Sequence, residues 1–116
     1  VNALPADELP HWLPQSGLPE HAWRKLQQAF QAHPQVERVV LFGSRAKGNH
    51  QPGSDIDLCV MAPTLAPHAL WALDERIDDL LLPWKVDLVL HHTIDTPALL
   101  DHIQRVGQLV YQRTPG

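Results

Sequence analysis

Much that would place a chain in a special class is missing here. No apolar run approaches the roughly 18 residues that cross a bilayer. No charged-then-apolar leader with a small-residue cleavage site opens the sequence, so a cytoplasmic protein is expected. The nine Lys and Arg residues never cluster, and the formal net charge is -4. A nucleic-acid grip founded on phosphate neutralisation is therefore disfavoured. Cysteine is nearly absent: Cys59 stands alone, so no internal disulfide can form, and its apolar neighbours mark it as a small buried hydrophobe. Internal repeats and low-complexity tracts are missing too. So is the Cys-rich or paired-His spacing of a structural zinc site. His11, His21, His33, His50, His68 and His102 are dispersed, and His91-His92 adjoin in a predicted loop.

What is present is ordinary globular material. Hydrophobic residues make up 44% and charged residues 19% of 116 positions, which is one domain's length with enough apolar side chains for one core. Pro5, Pro10 and Pro14 with few periodic apolar positions predict an irregular arm over residues 1–18, with Trp12 and Leu13 as candidates to pin it down. From Pro19, the spacing of Ala22, Trp23, Leu26, Ala29 and Phe30 predicts a helix that Pro34 stops. Val36 to Phe42 reads as a central strand, Gly43 to Gly53 as a loop with one helical turn at its start, and Asp55 to Met61 as a second strand. Pro67 opens a helix striped by Leu70, Leu73, Ile77, Leu80 and Leu81 and ended by Pro83; its acids Asp74, Glu75, Asp78 and Asp79 read as solvated surface. Trp84 to Leu90 is a third strand. Thr96-Pro97 caps a last helix carrying Leu99, Leu100, Ile103 and Val106, which Gly107 ends before Leu109-Val110-Tyr111. This order describes an α/β or α+β layered domain.

The chemistry concentrates in the second strand. In Asp55-Ile56-Asp57-Leu58-Cys59-Val60, alternation sends Ile56, Leu58 and Val60 into the core and leaves both carboxylates on the other face. Backbone spacing of about 6.5–7 Å suits two side chains converging on one or two divalent ions, which lie about 3.5–4 Å apart in two-metal sites. Magnesium fits: it prefers hard oxygen ligands and takes one or two carboxylates beside water and substrate phosphates. A third acid, Asp87, interrupts the apolar strand Val86-Asp87-Leu88-Val89-Leu90, where an ionised group is costly unless paired or bound to metal. Balance by Lys85 or Arg38 is the structural alternative.

The segment Leu41-Phe42-Gly43-Ser44-Arg45-Ala46-Lys47-Gly48 leaves a strand and enters a helical turn. Free backbone N–H groups there can take phosphate, Gly43 allows close approach, and Ser44 adds a hydroxyl donor, while Arg45 and Lys47 either assist or are solvated. This is not a Walker A loop, because Asn49-His50 replace the required Lys and Ser or Thr.

Taken together, a strand-ending Gly-Ser, ten further residues, then Asp-Ile-Asp and an acid on a third strand resemble the nucleotidyltransferase superfamily of DNA polymerase beta. The likeness is to its minimal members, the MNT-type antitoxins encoded beside HEPN-domain toxins. It runs from Pro19 to Tyr111 and implies a nucleotidyltransferase domain over residues 19–116, built as a small mixed β-sheet with helices packed on it. The resemblance implies that Gly43 and Ser44, assisted by Arg45, hold the phosphates of ATP. It further implies that Asp55 and Asp57 ligate magnesium, as one or two ions, and that Asp87 completes the metal site and helps activate the acceptor hydroxyl. The implied reaction is transfer of AMP, with a tyrosine of a HEPN-type toxin as acceptor. Larger relatives carry further domains that grip the acceptor; here it must be small or a protein that docks. Two alternatives stand beside this reading: a non-catalytic nucleotide-binding or toxin-masking module, and an enzyme acting on a small molecule such as an aminoglycoside.

Overall fold

The computed structural model describes residues 10–114. Four strands form one mixed sheet in the order β3-β2-β1-β4. Strand β1 (Arg38–Phe42) lies antiparallel to β2 (Ile56–Met61) and to β4 (Gln108–Gln112), and β2 runs parallel to β3 (Val86–Leu90). The α/β layered class and the small mixed sheet are as expected.

Period-two alternation divides the sheet into two unlike faces. Val39, Leu41, Ile56, Leu58, Val60 and Leu90 point to one side, with α1 (Trp12–Ser16), α2 (Glu20–Gln31) and α4 (Leu70–Asp78) supplying the rest of the main core, Leu26, Phe30 and Leu73 among them. The other side is a smaller cluster: Phe42, Cys59, Val40 and Val89 meet Ile103, Leu99 and Val106 of α5 (Pro97–Val106). Burial pushes the Cys59 thiol up to about 11, so it stays a neutral packing group.

The N-terminal segment departs from the expected irregular arm. Residues 1–9 lie outside the described part, but Trp12–Ser16 is helical and Trp12, Leu13, Ser16 and Leu18 are buried. Pro14 does not prevent this, because the first four N–H groups of a helix have no intrahelical partner to lose. The ring of Trp12 stands edge-on to Trp23 at 4.8 Å, and the side-chain amide of Gln15 donates to the carbonyl of Ala46 at 2.8 Å. This helix is therefore joined to the glycine loop.

Two further differences have physical reasons. Helix α4 stops at Asp78, and Leu81 is 86% exposed instead of completing the apolar stripe. Carboxylates at Asp78 and Asp79 oppose the negative helix end, and Pro83 disfavours helical backbone just before it. The unassigned Leu109-Val110-Tyr111 becomes the centre of β4. It is held there partly by Arg113, whose guanidinium donates to the carbonyls of Phe30, Gln31, His33 and Val36 and so closes the end of α2.

Candidate active site

Strand β1 ends in Phe42 and turns directly into α3 (Gly43–Lys47). Gly43 sits at φ 75°, a left-handed backbone, and a methyl group built there would collide with the carboxylate of Asp57. Any side chain there would strain the backbone and push that carboxylate aside, so the bare Cα is what lets it lie against the start of the turn. Ser44 follows, partly exposed.

Asp57 is opposite Phe42 in the antiparallel pair and opposite Asp87 in the parallel pair. Directly paired residues point to the same side, and adjacent strands lie about 4.7–4.9 Å apart, so these two acids are neighbours across the sheet. Asp55 stands exposed just ahead of β2. Burial raises the pKa of Asp57 first, the charges of Asp87 and Asp55 raise it further, and His102 alone opposes them. The three predicted acids thus share one end of the sheet and act on one another. Asp87 is less enclosed than its apolar strand suggested. β3 is an edge strand, the Asp87 side chain is 42% exposed, and Lys85 approaches it at 3.5 Å.

The two cations of the loop part company. Lys47 is exposed. Arg45 is 1% exposed and donates to three backbone carbonyls: Ser16 at 2.7 Å, Ser54 at 3.0 Å and Pro52 at 3.3 Å. Its guanidinium also lies 5.6 Å from the ring centre of Trp84. It binds α1 to the segment that delivers Asp55, a place quite different from the open phosphate contact expected of it.

His102 was passed over in the sequence because nothing in its spacing ties it to the loop 59 residues earlier. Its Nε2 accepts the N–H of Gly43 at 3.2 Å, and its ring stands edge-on to Phe42 at 6.1 Å. A helical polar residue facing the sheet, one position before the buried Ile103, was the available signal. Beside Asp87 a cavity of about 370 Å³ opens, lined by Ile77, Leu82 and Trp84 with Asp74, Asp78 and Lys85. Asp74 and Asp78, read from sequence as solvated surface, partly wall this hollow; burial and then the charges of Asp78 and Asp87 raise the Asp74 pKa.

A family model described as polymerase beta, nucleotidyltransferase matches residues 24–115. The chain belongs to this family. Every acid named above, the Gly43-Ser44 turn and His102 lie inside the matched span, while α1 precedes it. Curated proteins give no match. Among solved structures, a toxin–antitoxin crystallised with AMP-PNP is 29% identical, with a TM-score of 0.63 over 83% of this chain and 75% of that one. The MntA–HepT toxin–antitoxin is 24% identical, with a TM-score of 0.61 over 82% and 74%. A tri-AMPylated Shewanella oneidensis HEPN toxin in complex with MNT antitoxin is also 24% identical, with a TM-score of 0.61 over 81% and 72%. These three solved structures are toxin–antitoxin assemblies, one of them named for a HEPN toxin with an MNT antitoxin. At the two lower identities the likeness is one of fold.

Proposed function

We propose that this chain is a magnesium-dependent nucleotidyltransferase that moves AMP from ATP to a hydroxyl, with a tyrosine of a HEPN-type partner as acceptor. The single observation that supports this most is the lateral pairing of Asp57 with Asp87 beside a glycine turn whose bare Cα leaves room for the Asp57 carboxylate.

The donor set fits a divalent ion. Among the described residues no group of three or more His, Cys, Asp or Glu side chains is placed to hold a metal ion by itself; the two carboxylates paired across the sheet, Asp57 and Asp87, match the one or two that magnesium takes, and water and substrate oxygens would complete its shell. Burial first, and then the charges of Asp87 and Asp55, raise the Asp57 pKa, and a cation relieves the repulsion among these acids. In this reading Asp55, Asp57 and Asp87 hold the metal, which when bound supplies charge neutralisation for the entering and leaving oxygens. Gly43 lets the triphosphate approach the backbone, and Ser44 offers a hydroxyl donor. The exposed Lys47 takes over the phosphate contact from Arg45, which is buried and braces the loop. Asp87, half exposed at the edge strand, accepts the acceptor's proton as its oxygen bonds to the α-phosphorus and the bond to pyrophosphate breaks. Few groups suffice because such transfer rests on positioning and electrostatics.

The small-acceptor alternative has one observation in its favour. The cavity beside Asp87 carries Asp74 and Asp78 on its wall, a lining that suits a cationic molecule such as an aminoglycoside. Mass spectrometry decides among the readings. The protein is incubated with magnesium and each NTP in turn, in the presence of a HEPN-domain protein or of a panel of cationic sugars. A gain of one or more AMP groups on a partner tyrosine is expected. Modified sugar with unmodified partner would transfer the assignment to the alternative. Neutralisation of the partner with no mass change, retained when Asp57 is replaced by Asn, would leave a masking module.

A further inference from the structure

We infer that His102 is a positioning residue, whose Nε2 holds the N–H of Gly43 and so clamps the glycine turn, with the Asp57 carboxylate that rests on it, to α5. The inference deepens the nucleotide-transfer reading and rests on it for its kinetic consequence.

Gly43 opens α3, and the first N–H groups of a helix find no partner within it. Glycine at φ 75° is also the residue least able to hold its own backbone in place. The turn needs an outside anchor, and among the described residues the imidazole is the side chain that supplies it, at 3.2 Å from the Gly43 nitrogen. That imidazole is itself fixed. Its ring meets Phe42 edge-on. The next residue, Ile103, is 6% exposed in the small core with Phe42 and Cys59, and it receives the Gly107 N–H on its carbonyl at 2.8 Å. Phe42 is in turn the cross-strand partner of Asp57. His102 therefore touches the site from two sides, through the turn that Asp57 lies against and through the strand residue beside it. To accept an N–H, Nε2 must carry no proton, which puts the ring proton on Nδ1.

Two replacements separate hydrogen bonding from packing. His102→Phe keeps a ring against Phe42 and removes the acceptor, whereas His102→Gln keeps a side-chain oxygen that can take the same N–H. Misplacement of a reacting group by about 1 Å costs about 10²-fold. His102→Phe should therefore lower kcat about 10- to 100-fold with a smaller change in the nucleotide KM. His102→Gln should recover most of the loss, and both variants should melt within a few degrees of wild type. Equal losses in the two variants, or losses that follow the melting temperature, would overturn the assignment.

Heteronuclear NMR on the nucleotide-free protein at about pH 8, where an unperturbed imidazole is neutral, gives a readout independent of activity. The Nε2 of His102 should appear unprotonated, and the Gly43 amide proton should shift in His102→Phe but stay near its wild-type position in His102→Gln. A protonated Nε2, or a Gly43 amide indifferent to both changes, would end the clamp. Should the wild-type protein transfer nucleotide to nothing, the transfer reading fails while these spectra still decide whether His102 holds the turn.

Discussion

The two faces of the sheet are made from the same strands and do different work. On the side of α1, α2 and α4, Ile56, Leu58 and Val60 are each 0% exposed and the packing is continuous. On the side of α5 the cluster has, among the described residues, only three buried members, Phe42, Cys59 and Ile103, and the paired carboxylates Asp57 and Asp87 follow. One residue's step along β2 separates Leu58, which stabilises the fold, from Asp57, which burdens it: its ionised form is disfavoured by burial and by two like charges. Period-two alternation thus lets one strand supply a core and a strained site with no added chain. The cost of the site is carried by the face that has no chemistry.

The sharpest way to break this comparison is Asp57→Asn. Loss of a charge acting on the reacting phosphate should reduce transfer about 10²- to 10³-fold or more, measured as AMP incorporated into acceptor. Stability should move the other way. Because the folded pKa of Asp57 is raised above the ordinary 3.8, the native state holds its proton more tightly. The stability so gained is complete below 3.8 and lost as pH rises through the folded value. The Asn variant, with no charge to bury, should therefore melt higher than wild type at neutral pH without metal, and the gain should vanish below pH 3.8. Millimolar magnesium with ATP should raise the melting temperature of wild type more than that of the variant. A variant with full turnover, or one that melts lower at neutral pH, would remove Asp57 from this account.

Leu58→Ala tests the other face. Emptying a fully buried leucine costs about 2–5 kcal/mol, read as a large fall in the denaturation midpoint, yet activity per folded molecule should stay near wild type. A specific loss of activity, beyond the folded fraction, would mean that the core face reaches the site more directly than the alternation allows.

The same contrast explains what the sequence could disclose. The core face was legible because alternation and helical spacing are local: Ala22, Trp23, Leu26 and Phe30 on α2, and Ile56, Leu58 and Val60 on β2, all fall where the pattern puts them. The acids were legible for the same reason, Asp55 and Asp57 lying two apart on one strand. Which cation faces water was not. Arg45 and Lys47 are both basic residues in one short helix, and only the approach of Ser16, Pro52 and Ser54 makes Arg45 the buried one. His102 escaped notice because its partner lies on another element. The first helix escaped because its prolines look like breakers until Pro14 is seen to fall in the first turn, where its missing N–H costs nothing. β4 had a β-branched residue and an aromatic one but only five positions, too few for a pattern to declare itself.

The smallest effect belongs to the pair of Lys85 with Asp87, and it separates an acid that is merely balanced from one that is used. Lys85 stands 3.5 Å from its carboxylate, with side-chain exposures of 72% for Lys85 and 42% for Asp87. A pair this wet contributes about 0–1 kcal/mol and weakens as salt screens it. Lys85→Gln should therefore shift the melting temperature only slightly, and high salt should shrink the difference. Were Asp87 present only to meet Lys85, then Asp87→Asn and the double variant would show the same small loss as Lys85→Gln, since each removes one and the same interaction. Activity would follow stability in all three. A role in the site predicts divergence instead. Asp87→Asn should abolish most transfer at a nearly unchanged melting temperature, and, like Asp57→Asn, it should relieve charge around the paired acids. Lys85→Gln should keep transfer. A double-mutant cycle read in both stability and turnover measures the two quantities on the same four proteins. Coupling near zero in turnover, with the whole loss assigned to Asp87, is the outcome that places this acid with Asp57 on the working face.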